Sequence, residues 1–215
     1  MKQVDWYFDF ISPFSYLQLE RFDLLPRDVD VVLRPILFAG LLKHWQHKGP
    51  AEIPAKRRFT YRFVQWQADS QGIPLRFPPA HPFNPIKALR LAIALGCSRE
   101  AVVKIFRFIW REGRALDQPS EWQALTDSLG VSDAQALIEA PAVKDTLRAN
   151  GERAIAAGLF GVPSFVIDGE IFWGCDATAM AIDYLRDPAR FSRGELARAV
   201  DLPVGVERPR NQGQG

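Results

Sequence analysis

Apolar and polar residues divide this chain into a few sharp segments. An aromatic and apolar run, Trp6-Tyr7-Phe8-Asp9-Phe10, ends in Ile11-Ser12-Pro13. Such a density of aromatics suits a pleated, enclosed surface and predicts a short buried strand over 6–10. An amphipathic run follows. Leu17, Leu19, Phe22 and Leu25 form its apolar positions, Gln18, Glu20, Arg21 and Asp23 point outward, and Pro26 stops it. It predicts a helix over 14–25. Residues 30–33 read as a second strand, and strand–helix–strand implies a parallel pair with a right-handed crossover. For about 130 residues the pattern is then helical: 38–46, 55–70, 86–95, 99–112, 120–129, 132–139 and 141–158. Phe59, Phe63 and Trp66 share one face of the second of these. Lys48-Gly49-Pro50 is a break, and the proline-rich stretch 72–85 reads as a loop. Strand character returns in 164–167 and 171–173, joined by Asp168-Gly169, a strong hairpin signal. A helix over 177–185 follows. The fold class is α/β.

Composition narrows the function. The chain has 215 residues, 47% hydrophobic and 24% charged, as expected of a globular protein with a sizeable core. A net charge of +2, with no basic–aromatic interleaving, does not suggest nucleic acid. No apolar run is long enough for a membrane span, and Met1-Lys2-Gln3 runs into the first strand without a secretory signal, so a cytoplasmic location is expected. Cys97 and Cys175 lie far apart, and His44, His47 and His81 are scattered; His44 and His47 could share a helix face but are expected as solvated side chains, and no metal site is expected. The tail from Pro203 onward reads as disordered.

Chemistry is suggested at two places. Pro13 suits a first helical turn, which puts Ser12 at the N-cap, where a hydroxyl either serves as a cap or helps to hold an anion. A serine nucleophile would need a base, yet the context is not Gly-x-Ser-x-Gly and no histidine has an obvious claim. Far along the chain, Gly161-Val162-Pro163-Ser164 leads into the hairpin, with proline at a strand start where it is tolerated.

Together these stretches resemble the thioredoxin superfamily. Its redox members open the first helix with Cys-x-x-Cys, where this chain has Ser12-Pro13-Phe14-Ser15, so ordinary dithiol–disulfide exchange is not available there. More narrowly, 8–17, 160–165 and Phe172-Trp173-Gly174-Cys175-Asp176 resemble the 2-hydroxychromene-2-carboxylate isomerases, which are related to kappa-class glutathione transferases and to DsbA-like proteins. The resemblance implies a thioredoxin-like domain (1–37 and 150–202) interrupted by a helical domain (38–149), with 203–215 as a tail, and a homodimer. It implies glutathione as cofactor, its thiolate held by Ser12, its peptide paired with the backbone of Val162 before a cis Pro163, and its γ-glutamyl end lined by Trp173, Gly174, Cys175 and Asp176. Asp176 reads equally as a helix cap, and Cys175 replaces the family's usual amide, which suggests a buried structural thiol. The implied co-substrate is an aromatic 2-oxo acid of aromatic catabolism. Lys43, Lys56 and Arg57 are candidate partners for its carboxylate, with Asn84 as a polar contact; solvated cations and an Asn-Pro turn are the plainer readings. Trp45, Phe59, Trp66, Phe83 and Trp110 suit a flat substrate or simply a core. The implied reaction is isomerisation by reversible thiolate addition. Alternatives are a kappa-type transferase or peroxidase, a non-catalytic glutathione- or peptide-binding module, and a disulfide oxidoreductase using Cys97 or Cys175.

Overall fold

The computed structural model describes residues 2–206. Four strands form one mixed sheet in the order β2-β1-β3-β4. Strand β1 (Lys2–Phe8) runs parallel to β2 (Val29–Pro35) and antiparallel to β3 (Ser164–Ile167), which forms a hairpin with β4 (Glu170–Trp173). Helix α1 (Pro13–Leu19) makes the crossover between β1 and β2. The helices α2 (Phe38–His44), α3 (Pro54–Ser70), α4 (Ile86–Ala94), α5 (Arg99–Phe106), α6 (Pro119–Ser128), α7 (Ala134–Glu139) and α8 (Pro141–Ala156) separate the two halves of the sheet, and α9 (Thr178–Arg186) and α10 (Gly194–Val200) follow it. This is a thioredoxin fold carrying a helical insertion. Among the described residues no helix is long and apolar enough to cross a membrane, and no group of three His, Cys, Asp or Glu side chains is placed to share a metal.

Several boundaries differ from the pattern's prediction, for identifiable reasons. The helix expected over 14–25 ends at Leu19, and a separate 3₁₀ turn covers Phe22–Leu24. Pro26 forces Leu25 into an extended conformation, and Phe22 turns inward against Trp6 and Phe165. Gln18, expected outside, is 1% exposed. The helix over 99–112 changes at Phe106 into a π-helical turn, Arg107–Arg111. Helix α10 was not expected; its short apolar pattern is weak and its Leu196 and Val200 remain exposed. Residues 203–206 carry no regular structure, and the rest of the expected tail lies outside the described residues.

The period of two along β1 builds the core on both faces of the sheet. Val4, Trp6 and Phe8 join Phe10, Phe106, Ile109 and Trp110 in one cluster. Tyr7 faces the other way, onto Ile36, Leu41, Ala154, Leu159 and Val162. Helical residues therefore pack directly on the strand that leads to Ser12.

Candidate functional site

Three segments meet at the C-terminal end of β1. Tyr7 pairs with Ser164, and Ser164 with Trp173, so residues 8–12, 162–163 and 173–174 lie side by side. The link is explicit at Gly174, whose amide donates to the Pro163 carbonyl at 2.8 Å. The Val162–Pro163 peptide is cis, as the resemblance implies.

Ser12 is 7% exposed and caps α1: its Oγ accepts from the Ser15 amide at 3.2 Å. Its hydroxyl hydrogen has no acceptor among the described residues and can donate to a ligand. Ser15, in the place of the second redox cysteine, is fully buried, and its hydroxyl has no partner among the described residues. Among the described residues neither has a histidine hydrogen-bonded to it, so the histidine base of an activated-serine hydrolase is not in place.

Val162 buries its side chain, while its backbone N–H and C=O find no partner among the described residues. An extended peptide could pair with them as an added strand does. Beyond it, two glycines allow close packing. A Cβ on Gly161 would collide with the Trp173 indole, and Gly174, at φ +94, is held against the Asp176 carboxylate. Trp173 is half exposed and meets Phe160 edge-on at 5.1 Å. Asp176 makes no capping bond among the described residues, and α9 has no side-chain cap, so its carboxylate is available. Cys175 is half-buried, 3.8 Å from Gln67 Oε1, and burial pushes its thiol up to about 11. Cys97 is likewise pushed to about 11. Both are poor nucleophiles at neutral pH.

Of the cations expected at a substrate carboxylate, Lys43, Lys56 and Arg57 are all exposed and none is ion-paired among the described residues. Arg57 lies near enough to Tyr61 to act on its phenol electrostatically. Asn84 accepts from the Ile86 amide at 3.0 Å, which is the turn-forming role. Phe59 and Trp66 are exposed, and with Phe63 they form a stack that reaches Phe14 at the tip of α1. Trp110, by contrast, is fully buried core, and Trp45 donates to the Leu159 carbonyl at 2.8 Å.

Three residues were missed by the pattern. Gln18 accepts from the Trp6 indole at 2.6 Å and donates to Gly174 O (3.0 Å) and Thr178 Oγ1 (2.9 Å), tying α1 to the 173–178 segment. Asp9 is fully buried and accepts from the Ile11 amide (3.1 Å) and the Phe38 amide (2.8 Å); burial outweighs these donors and pushes its carboxyl up to about 7. His81, which the pattern left only as one of three scattered histidines, is mostly enclosed and bonded to the Ile11 carbonyl at 2.9 Å. The Phe-Asp-Phe alternation could have flagged Asp9 as a carboxylate inside an apolar run.

Comparison with known proteins agrees with this architecture. Residues 3–186 match the profile of the DSBA-like thioredoxin domain. A 2-hydroxychromene-2-carboxylate isomerase from Pseudomonas putida is 31% identical over 189 residues, 82% of this chain and 91% of that protein. Glutathione S-transferase kappa 2 from Caenorhabditis elegans is 28% identical over 210 residues, 87% of this chain and 93% of that protein. A solved structure of a selenomethionine 2-hydroxychromene-2-carboxylate isomerase superposes with a TM-score of 0.75 at 26% identity, covering 87% of this chain and 96% of that one. The chain belongs to the DSBA-like thioredoxin family and, within it, to the family of the 2-hydroxychromene-2-carboxylate isomerases.

Proposed function

We propose that this protein is a glutathione-dependent isomerase that interconverts 2-hydroxychromene-2-carboxylate and trans-o-hydroxybenzylidenepyruvate, or a close aromatic relative. The observation that carries the reading is Ser12: a capped hydroxyl with a free hydrogen, standing where redox relatives keep a sulfur and beside the open backbone of Val162. These features fit a γ-glutamyl-cysteinyl peptide. Val162 would pair with its backbone, Asp176 would accept from its α-amino group, and Trp173, Gly174 and Cys175 would line that end.

Held by Ser12 and the Val162 backbone, glutathione would supply a thiolate nucleophile for reversible addition to the enone of the ring-opened substrate, the chemistry that lets the former double bond rotate. Ser12 donates its hydroxyl hydrogen to the sulfur and favours thiolate over thiol; a hydrogen bond to an anion contributes about 1.5–3 kcal/mol, or one to two pKa units. Arg57 and Lys56 on α3, with Lys43 on α2, would balance the substrate carboxylate, and Asn84 offers its amide N–H groups. The Phe14, Phe63, Phe59 and Trp66 stack supplies a flat apolar wall.

The test follows isomerisation of a chromene-carboxylate by absorbance with and without glutathione, in the native protein and in Ser12→Ala. The expected result is no rate without glutathione and a fall of about 10- to 100-fold in the variant. A full rate in Ser12→Ala would refute the role of Ser12. Glutathione binding with consumption of the thiol, and no isomerisation, would favour a kappa-type transferase, a reading supported by the Caenorhabditis elegans relative.

A further inference from the structure

The loop that delivers Ser12 is pinned from outside. The Asp9 carbonyl accepts from the Ser12 amide at 3.0 Å, and the Asp9 carboxylate takes the Ile11 amide. The next two carbonyls are held by side chains from the helical insertion: Phe10 by the Trp110 indole at 2.8 Å, and Ile11 by His81 Nε2 at 2.9 Å. The His81 ring packs edge-on against Trp110, with centroids 5.4 Å apart, and against Phe83 at 5.9 Å. Its other nitrogen, Nδ1, lies 2.7 Å from the Tyr61 hydroxyl of α3.

This geometry selects one tautomer. A carbonyl can only accept, so Nε2 carries the hydrogen. In the neutral ring Nδ1 then accepts, and the single Tyr61 hydroxyl hydrogen is shared between Nδ1 at 2.7 Å and the His81 carbonyl at 2.9 Å. Burial holds His81 below its ordinary pKa, which favours this form at neutral pH. The titratable groups around it are Tyr61, Arg57 acting on Tyr61, and Asp9 on the far side of Ile11. The Ile11 carbonyl and the Ser12 amide share one planar peptide. Fixing the carbonyl therefore fixes that plane, and with it the direction in which side chain 12 leaves the backbone.

We propose that His81, oriented by Tyr61, is a positioning residue: from the helical insertion it holds the Ile11–Ser12 peptide and so aims the group at position 12. The consequence for a bound sulfur rests on the glutathione reading above; the consequence for position 12 does not.

The experiment replaces Ser12 by cysteine and titrates the introduced thiol by its ultraviolet thiolate absorbance. Cys97 and Cys175, both pushed to about 11, titrate above the window. In Ser12→Cys the thiol is expected to take the place of the Ser12 hydroxyl as acceptor of the Ser15 amide and so to titrate below the ordinary value of about 8.5. Adding His81→Ala is expected to raise it by about one pH unit, a tenfold loss of thiolate at neutral pH. His81→Gln keeps an N–H near the Nε2 position and is expected to restore most of the shift. Near-ultraviolet dichroism checks that each variant is folded. If His81→Ala does not fold, Tyr61→Phe, which leaves the ring packed but removes the hydroxyl that orients it through Nδ1, is expected to move the titration in the same direction by less. An unchanged titration in a folded His81→Ala or Tyr61→Phe background, or no recovery with glutamine, would overturn the proposal. Glutathione binding to the native protein is measured in parallel. No binding, with the introduced thiol still answering to His81, sinks the glutathione reading and leaves the positioning role standing; binding with a thiol indifferent to His81 does the opposite.

Discussion

Asp9 shows how much one side chain in the loop can carry. Its carboxyl closes two backbone amides without reaching water, and its folded pKa of about 7 stands above an ordinary value of about 3.9. Between those limits the folded state holds more protons than the unfolded one. Stability from this group is therefore fully present below about pH 4 and is lost as pH rises through about 7, by up to about 1.4 kcal/mol per unit. His81 acts in the opposite sense: its folded pKa is lowered, so its contribution is lost as pH falls below about 6.5. Urea midpoints at pH 5 and pH 7 separate the two, because Asp9→Asn removes only the first. The native protein should gain more, or lose less, than Asp9→Asn on going from pH 7 to pH 5; equal differences would show that Asp9 does not titrate in this range. Gln18 is a second such residue. Gln18→Leu would leave the Trp6 indole N–H buried without a partner and take one of two donors from the Gly174 carbonyl, which keeps the Ala177 amide, at a cost of about 1–3 kcal/mol. A drop below about 1 kcal/mol in urea unfolding would mean that water takes over these bonds.

At the scale of elements, α1 is short and is held at both ends by the helical insertion. Trp110 and His81 grip the loop before it, Tyr16 donates to the Pro74 carbonyl at 2.6 Å, and Arg107 makes a two-pronged pair with Glu20 at its end (2.7 and 2.8 Å). This explains what was legible in advance. The four strands were readable from their apolar runs and the Asp168-Gly169 turn, although the first, expected over 6–10, runs from Lys2 to Phe8 and leaves Asp9 and Phe10 to the loop. The helix start at Pro141 was readable at its proline, while those at Pro54 and Pro119, expected at 55 and 120, carry the same first-turn proline one residue earlier. The side-by-side placing of Ser12, Val162 and Trp173 follows from a β-α-β unit and a late hairpin in one sheet. Legibility ended where the insertion acts on the site. A stretch such as Pro78-Pro79-Ala80-His81-Pro82 has no period, so nothing in it announces that His81 will be enclosed and will meet a carbonyl 70 positions away. Gln18 failed for the converse reason: helical period sorts residues by polarity, and a buried polar bridge is polar by composition but interior by position.

At the scale of the whole molecule, the sheet and the insertion share one interior. Phe106, on α5, lies 4.6 Å from Phe10, 5.5 Å from Phe8 and 6.2 Å from Trp6, ring centroid to centroid, and all four are fully buried. The rings of α5 and β1 therefore meet directly in this cluster. A chain whose helical insertion had its own core would unfold in two steps. One whose aromatic centre is common to both should unfold in one, with helix content by far-ultraviolet dichroism and tryptophan environment by fluorescence following the same curve. Phe106→Ala tests this directly. The substitution empties a ring-sized space lined by β1 residues and should cost about 3–5 kcal/mol. Because β1 loses the same neighbour, both signals should shift together to lower urea. A variant in which the helical signal moves while the fluorescence transition stays, or in which two transitions separate, would show that the insertion and the sheet are independent folding units. It would also weaken the case for His81, since a separately unfolding insertion could not hold the Ile11 carbonyl once it opened.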